Sequence, residues 1–262
     1  MTIQDIANAI EYVAPRELQE SYDNAGLQCG DPRLEVSRVL TCLDVTEATV
    51  EEAHRRGCQL VVSHHPLLFR GVKCIDPTRD YISRTLMLAI RYGIGIYAAH
   101  TNLDRARGGI NDALASMLEL TDVQPMSDCG VWGRLPLPMT AAELLSHISQ
   151  HLGDATLRYN AEAITDPERK LSTLALCGGS AAEFAAEAEQ LGADAYLTGE
   201  IRYHDFFGHP SILLIEAGHF ETEQHAPTLL SHIIQRALPE VECRVADAHH
   251  SPCPVYCGKV QP

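Results

Sequence analysis

Short apolar runs alternate with amphipathic stretches along the first half of the chain. Three runs have the length and composition of buried strands, and they lie at residues 39–45, 59–63 and 94–99. Thr46 and Asp80 stand where helix N-caps are expected, and Gly93 stands where a helix should end. Buried strands that alternate with helices indicate βαβ units and a largely parallel sheet.

The second half of the chain has the same rhythm. Thr140 is expected to cap a helix that runs to His151, and further helices are predicted at residues 181–191 and 227–237. The predicted strands lie at residues 171–177, 195–198, 212–217 and 241–245. Between the halves, residues 121–140 are rich in Pro, Asp and Gly, which indicates a domain crossing.

These elements predict an α/β protein made of two similar three-layer α/β lobes with largely parallel sheets. The first lobe is expected to span residues 1–124 and the second residues 125–248, and residues 249–262 form a tail. The boundary is approximate, because such lobes can exchange segments.

The composition of the chain indicates which partners and which cellular compartment to expect. The formal net charge is -15, and an acidic chain is not attracted to the phosphates of nucleic acid. We therefore do not expect nucleic acid as the main partner. No apolar run is long enough for a transmembrane helix, and the start of the chain lacks the pattern of a signal peptide. The nine cysteines form no C-x-x-C motif, and an odd number favours a reducing compartment. We therefore expect a cytoplasmic protein that acts on a small molecule.

Potential metal ligands follow three of the predicted strands. The segments are LVVSHHP, YAAHTNLD and LLIEAGHFETE. In open α/β sheets, ligands bind at the carboxyl ends of the strands. Imidazole nitrogen together with carboxylate oxygen suits Zn, Mn, Fe or Ni better than Ca or Mg alone. The residues concerned are His64, His65, His100, Asp104, Glu216, His219, Glu221 and Glu223.

The spacing of these residues has a physical meaning. His64 and His65 would point to opposite faces of a regular strand, so both can serve one cluster only if the strand has already ended. His219 and Glu223 would share one face of a helix that begins after Gly218. Each signal also has an ordinary explanation, since a His–His pair can serve packing and a lone histidine can bond backbone at a helix start.

Five segments resemble a dinuclear-metal family in order and spacing. They are SYDNAGLQCGD, VVSHHPLLF, AAHTNLDRARGGIND, GADAYLTGEIRYHD and EAGHFETE. The family is that of the GTP cyclohydrolase 1 type 2 homologues, also called YbgI-like or NGG-one-interacting-factor-three-like proteins. The resemblance implies two divalent metal ions per subunit, two α/β lobes, and a ring-shaped homohexamer whose metal sites face an inner cavity. Matching positions imply that the metal ligands are His64, His65, Asp104, His219 and Glu223.

Other polar residues are candidates for secondary roles. His100 either orients a ligand, moves a proton or packs at a strand end. His204 is a possible acid or base, or part of a polar loop. Asp23 and Asn24 are interpreted as turn residues. Residues 177–180 (CGGS) either cradle an anion or pack closely, and we favour packing. In the tail, His249, His250, Cys253 and Cys257 either chelate an extra metal or form a loose or oligomer-packing segment.

The favoured function is metal-dependent hydrolysis of a nucleotide-like or other phosphorylated small molecule. Two adjacent metal ions can activate water and clamp phosphoryl or carbonyl oxygens, and a hydrolytic opening of a purine ring needs the same chemistry. His100 and His204 are the candidate catalytic side chains. The alternative is a metal-binding scaffold or regulatory interaction protein without catalysis.

Overall fold

The computed structural model describes residues 1–126 and 129–254. The chain divides into two compact units. Of the described residues, the first contains Met1–Ile110 and Gln224–His249, and the second contains those between Asn111 and Glu223 and residues 250–254. The chain thus leaves the first unit before the expected boundary at residue 124. It returns after residue 223 with a helix and a strand, and this strand completes the first sheet.

The helices and strands are numbered in chain order. The helices are α1 (Ile3–Val13), α2 (Glu47–Arg55), α3 (Tyr81–Tyr92), α4 (Thr101–Arg105), α5 (Ile110–Met117), α6 (Ala141–His151), α7 (Ala185–Gln190), α8 (His219–Glu223) and α9 (Ala226–Ala237). The strands are β1 (Gly26–Cys29), β2 (Arg38–Cys42), β3 (Leu60–Ser63), β4 (Gly95–Ala98), β5 (Thr121–Pro125), β6 (Val131–Met139), β7 (Arg158–Tyr159), β8 (Leu171–Cys177), β9 (Ala195–Thr198), β10 (Leu213–Glu216) and β11 (Glu242–Val245). The longest of the described helices have 12 residues, and none could cross a membrane.

The first unit is built on a five-stranded sheet in the order β1-β4-β3-β2-β11. Strands β4, β3, β2 and β11 are parallel, and β1 is an antiparallel edge strand. The expected helix caps are confirmed: Thr46 Oγ1 accepts a hydrogen bond from the Thr49 amide at 3.2 Å, and Asp80 caps α3. Gly93 ends α3 in the left-handed conformation with a φ of 67°.

The second unit contains a six-stranded sheet in the order β5-β6-β8-β9-β10-β7. Only β8, β9 and β10 pair in parallel, and the outer pairs are antiparallel. Alternate residues of β8 enter two different hydrophobic clusters, one that includes α6 and one that includes α7. This alternation shows helices on both faces of the sheet. The prediction of an α/β fold with two sheets is confirmed.

The interpretation of residues 121–140 as a domain crossing is wrong, because both ends of this stretch form strands of the second sheet. Strand β6 pairs with β5 on one side and with β8 on the other. Pro136 and Pro138 lie at exposed positions of β6, where a missing amide donor is tolerated.

Two neighbouring glycines after α4 allow a stability test of the HTNLDRARGG segment. A Cβ on Gly109 would overlap the carbonyl oxygen of Leu103 and lie 2.8 Å from that of Ala106. Gly108 has open space around it but a φ of 76°. We expect Gly108→Ala to lower the free energy of unfolding by about 1 kcal/mol through left-handed strain. Gly109→Ala should cost about 3 kcal/mol through overpacking, measured by urea denaturation. Equal losses in the two variants would contradict this packing.

Candidate metal centre

The two adjacent histidines lie just past the end of β3. Their amides still follow the strand, since His64 N donates to Cys42 O at 3.2 Å and His65 N donates to Leu43 O at 3.0 Å. The ring centroids are 5.0 Å apart. His64 is fully buried and His65 is partly exposed. Both rings therefore lie together, as the end of the strand at Ser63 allows.

Hydrogen bonds fix which nitrogen of each ring carries its proton. His64 Nδ1 lies 2.8 Å from the carbonyl oxygen of Ala99, which can only accept, so Nδ1 is the donor. His64 Nε2 then presents its lone pair, and it lies 3.5 Å from Asp104 Oδ1. His65 Nδ1 lies 2.8 Å from Asp44 Oδ1. Such partners on the far nitrogen are typical of metal-binding histidines.

His100 belongs to the same cluster of rings. Its centroid lies 5.2 Å from that of His64 and 5.6 Å from that of His65. The three side chains offer ligand atoms within 4.8 Å of one another. His100 is therefore near enough to act as a ligand. The sequence placed it among the potential ligands after the strands, although the family resemblance did not include it. Its roles in orienting a ligand or moving a proton stay predictions.

Asp23 holds His100 in place from a distant part of the sequence. Asp23 Oδ1 accepts a hydrogen bond from His100 Nδ1 at 2.7 Å, and Oδ2 accepts from the amide and hydroxyl of Thr101. Burial alone would raise the pKa of Asp23, but the hydrogen bonds from His100 and Thr101 outweigh it and lower the pKa to about 2. The interpretation of Asp23 as a turn residue missed this contact.

Asp44 was also missed, because the predicted strand at residues 39–45 includes it, whereas β2 ends at Cys42. It follows the end of β2 by two residues, in the same position that drew attention to the histidines after β3. Its carboxylate contacts the ring of His65, as the carboxylate of Asp23 contacts the ring of His100. Acidic residues near a strand end should therefore be considered as candidate site residues together with the histidines.

The second unit presents a histidine and a glutamate on α8. Gly218, with a φ of 95°, turns the chain out of β10, and α8 begins at the next residue. His219 Nε2 lies 3.1 Å from Glu223 Oε2, and His219 Nδ1 lies 3.1 Å from Glu200 Oε1. The expectation that His219 and Glu223 share one helix face is confirmed. Glu223 is buried and His219 is partly exposed.

Close packing at neighbouring strand ends holds α8. A Cβ on Gly179 would overlap the Glu223 carboxylate, and a Cβ on Gly199 would lie 2.9 Å from the Cα of His219. Thr222 Oγ1 accepts a hydrogen bond from the Gly179 amide at 3.1 Å. The favoured interpretation of the CGGS segment, close backbone packing, is therefore confirmed.

A cavity of about 390 Å³ lies in the second unit, next to the turn that carries His204. Its walls include Tyr203 and Phe207, and the exposed ring of His204 contacts both of these side chains. Arg158, also in the wall, pairs with Glu216 at the end of β10. Among the described residues, no candidate metal group includes His204, and its catalytic role stays a prediction.

The remaining predicted positions have local partners. Asn24 donates a side-chain hydrogen bond to the Leu68 carbonyl at 2.7 Å. The carboxylate of Glu221 lies over Gly218. In the tail, His249 Nε2 lies 2.7 Å from the Gln224 carbonyl oxygen. Cys257 lies outside the described residues, so the four-residue chelate suggested for the tail stays a prediction.

Comparison with known proteins identifies the family. The model of the Duf34/NIF3 (NGG1p interacting factor 3) family matches residues 1–252. The chain belongs to this family. A Clostridium perfringens protein named GTP cyclohydrolase 1 type 2 homolog is 36% identical over 234 residues, which cover 85% of this chain and 87% of the relative. A Clostridium acetobutylicum protein of the same name is 32% identical over 251 residues, or 91% of each chain.

Solved structures of Duf34/NIF3 relatives share the fold. The structure of a Bacillus cereus protein related to NIF3 aligns with a TM-score of 0.90 at 21% identity, covering 98% of this chain and 99% of the relative. Reduced HcgD from Methanocaldococcus jannaschii aligns with a TM-score of 0.79 at 25% identity, covering 94% and 98%. The family resemblance and the fold predicted from the motifs are both confirmed.

The contact between Asp23 and His100 predicts a pH-dependent contribution to stability. Asp23→Asn replaces an acceptor of the Thr101 bonds with an amide, so we expect a loss of about 1–3 kcal/mol in the free energy of unfolding at pH 6. The pKa of Asp23 falls from an ordinary 3.8 to about 2 on folding, so its contribution is complete above pH 3.8. The difference between wild type and variant should shrink as the pH falls toward 2.

Asp31 provides a matched control for this measurement. Its pKa is also lowered to about 2, but by the side chain of Arg33 at the protein surface. Asp31→Asn should change the denaturation midpoint little at any pH, because solvent screens an exposed pair. An Asp23→Asn variant as stable as the wild type at pH 6 would contradict the positioning role of Asp23.

Proposed function

We propose that the protein uses His64, His65, Asp104, His219 and Glu223 to hold two divalent metal ions for hydrolysis of a nucleotide-like or other phosphorylated small molecule. The proposal rests chiefly on the tautomers of the two adjacent histidines. In both rings an acceptor engages Nδ1, so Nε2 is the nitrogen that can bind a metal.

The donor atoms fit the proposed ions. The proposed histidine ligands offer imidazole nitrogens, and Asp104 and Glu223 offer carboxylate oxygens. Mixed nitrogen and oxygen donors suit Zn, Fe, Mn or Ni. Carboxylates balance the charge of the cations, which makes Glu223, buried among packed backbone, the candidate for a bridging ligand.

The chain itself supplies proton handling. Two divalent ions, when bound, lower the pKa of water and polarise phosphoryl or carbonyl oxygens. His100 Nδ1 donates a hydrogen bond to Asp23 Oδ1, which leaves the lone pair of Nε2 to accept a proton. The carboxylate of Asp23, ionised above a pKa of about 2, stabilises the imidazolium that results. His100 is therefore proposed as the base.

The cavity of the second unit supports a nucleotide-like substrate. Aromatic side chains of Tyr159, Tyr203, Phe206 and Phe207 contribute to its walls, and aromatic faces stack on planar bases. Its volume of about 390 Å³ lies in the range of small-molecule sites. Arg158 lies 5.5 Å from the ring centroid of Phe206 and adds a positive charge.

A metal-binding scaffold without catalysis is the second candidate. Full burial of His64 and near-complete burial of Glu223 favour it, because ions enclosed by protein lack the open position that catalysis needs. The partial exposure of His65, Asp104 and His219 favours an enzyme instead. Activity on a substrate decides between the two.

Two glutamates on α8 form a matched pair for the test. Glu223→Gln replaces a proposed ligand with a neutral amide, so we expect loss of at least one ion per chain. Hydrolysis should fall by at least roughly tenfold. Glu221→Gln, on the same helix, should keep both metal content and activity. Metal content is measured by mass spectrometry, and hydrolysis is assayed on nucleoside phosphates, phosphomonoesters and purine nucleotides with the same preparations.

Two results would go against the enzyme. Full activity in a Glu223→Gln protein that has lost its metal would assign the hydrolysis to a contaminant. A wild-type protein that carries two ions and hydrolyses nothing in the panel would favour the scaffold. A wild-type protein without affinity for Zn, Fe, Mn or Ni would reject the metal centre itself.

We further propose that the protein forms the homohexameric ring implied by its family resemblance. Large apolar side chains remain on the surface of the single chain, including Tyr12, Tyr22, Ile90 and Leu137. Exposed apolar side chains of this kind are suited to burial in an interface. Light scattering should give a mass of six protomers at moderate salt. A monomer over a wide range of concentration would contradict the ring.

A further inference from the structure

A second group of potential metal ligands lies in the second unit, away from the strand ends. His147 and His151 are one turn apart on α6, and Glu119 follows α5. Their ligand atoms all lie within 4.8 Å of one another, and the two ring centroids are 4.0 Å apart. None of the three residues belongs to the motifs that indicated the dinuclear centre.

Backbone carbonyls fix the tautomers of both rings. His147 Nε2 lies 3.1 Å from the Leu118 carbonyl oxygen, and His151 Nδ1 lies 2.8 Å from the His147 carbonyl oxygen. A carbonyl oxygen only accepts, so these two nitrogens carry the protons. The lone pairs are therefore on His147 Nδ1 and His151 Nε2. In each ring, one nitrogen donates a hydrogen bond to the backbone and the other has the lone pair that can bind a cation.

The core of the unit holds these elements in position. Leu114 and Leu118 are fully buried in the same hydrophobic cluster as Leu144 and Ile148 of α6. Glu119 has a left-handed φ of 59°, and its amide donates to the Ser116 carbonyl at 3.1 Å to end α5. Glycine is the usual residue in this conformation. Here the position carries an exposed carboxylate beside the two rings.

We propose that Glu119, His147 and His151 form a further site for one divalent transition-metal ion of the Zn or Ni type. Two imidazole nitrogens and one carboxylate oxygen match the ligands that Zn prefers, and water would complete its coordination. Ca and Mg are disfavoured because they prefer oxygen ligands. The net charge of -15 raises the local concentration of cations. The proposal is independent of the proposed hydrolysis.

Zn titration against a chromophoric chelator tests the site. His151→Ala removes a ring whose Nδ1 bonds only within its own helix, so the fold should tolerate it. We expect this variant to bind one Zn ion fewer per chain than the wild type. Glu119→Gln should weaken the same ion by at least roughly tenfold. His232→Ala, which removes an exposed histidine of α9, is the matched control and should bind Zn as the wild type does.

Chemical modification provides a readout that needs no variant. Diethyl pyrocarbonate modifies accessible imidazole nitrogen, and mass spectrometry locates each modified histidine. Zn should protect His151 in the wild-type protein while His232 stays reactive. Unchanged Zn binding in His151→Ala, or a His151 whose reactivity Zn does not alter, would overturn the proposal.

Discussion

Three parallel strands of the first sheet end side by side, and the histidine cluster depends on this register. Cys42 of β2 pairs with Ser63 of β3, and Ser63 pairs with Ala98 of β4. The residues just beyond these strand ends must therefore be neighbours. Asp44, His64, His65 and His100 come from those positions, as does the Ala99 carbonyl that holds the ring of His64. A slip of one residue in β3 would turn its side chains to the opposite face.

In the second sheet, three strand ends also lie in register, and glycines follow them. Cys177 of β8, Thr198 of β9 and Glu216 of β10 are in register, and a glycine follows within two residues of each. These glycines let the backbone of three loops approach α8 closely, where a Cβ on Gly179 or Gly199 would strike a neighbour. The orientation of His219 and Glu223 is thus set by backbone packing as well as by the helix itself.

Much of the fold could be predicted because its signals are local. Helix caps and buried strands can each be recognised from a few consecutive residues. Examples are the caps Thr46, Asp80 and Thr140 and the apolar runs of β3, β8 and β9. The edge strands β1 and β7 were missed because they are short and lack a continuous apolar run. Strand β6 was missed because its two prolines, which lie at exposed positions, resemble those of a linker.

The positions of the site histidines could be predicted, but the groups that hold them could not. A strand end followed by histidine is visible in the sequence, whereas the bond from His100 to Asp23 joins residues 77 positions apart. Such a contact leaves no periodic pattern in the sequence, since it depends on the pairing of β1 with β4. The sequence favoured a turn for Asp23 because aspartate followed by asparagine is a common turn signal.

The histidines at the strand ends and those on α6 also differ in the hydrogen-bond acceptor that each ring contacts. His65 and His100 each form a hydrogen bond to a carboxylate, which orients the ring and strengthens the opposite nitrogen as a metal ligand. His147 and His151 are backed by neutral carbonyls. His64, beside the first group, is fully buried, whereas Glu119, beside the second, is exposed. As proposed metal sites, the cluster at the strand ends should therefore hold its ions more tightly, and the pair on α6 should exchange its ion with solvent more readily.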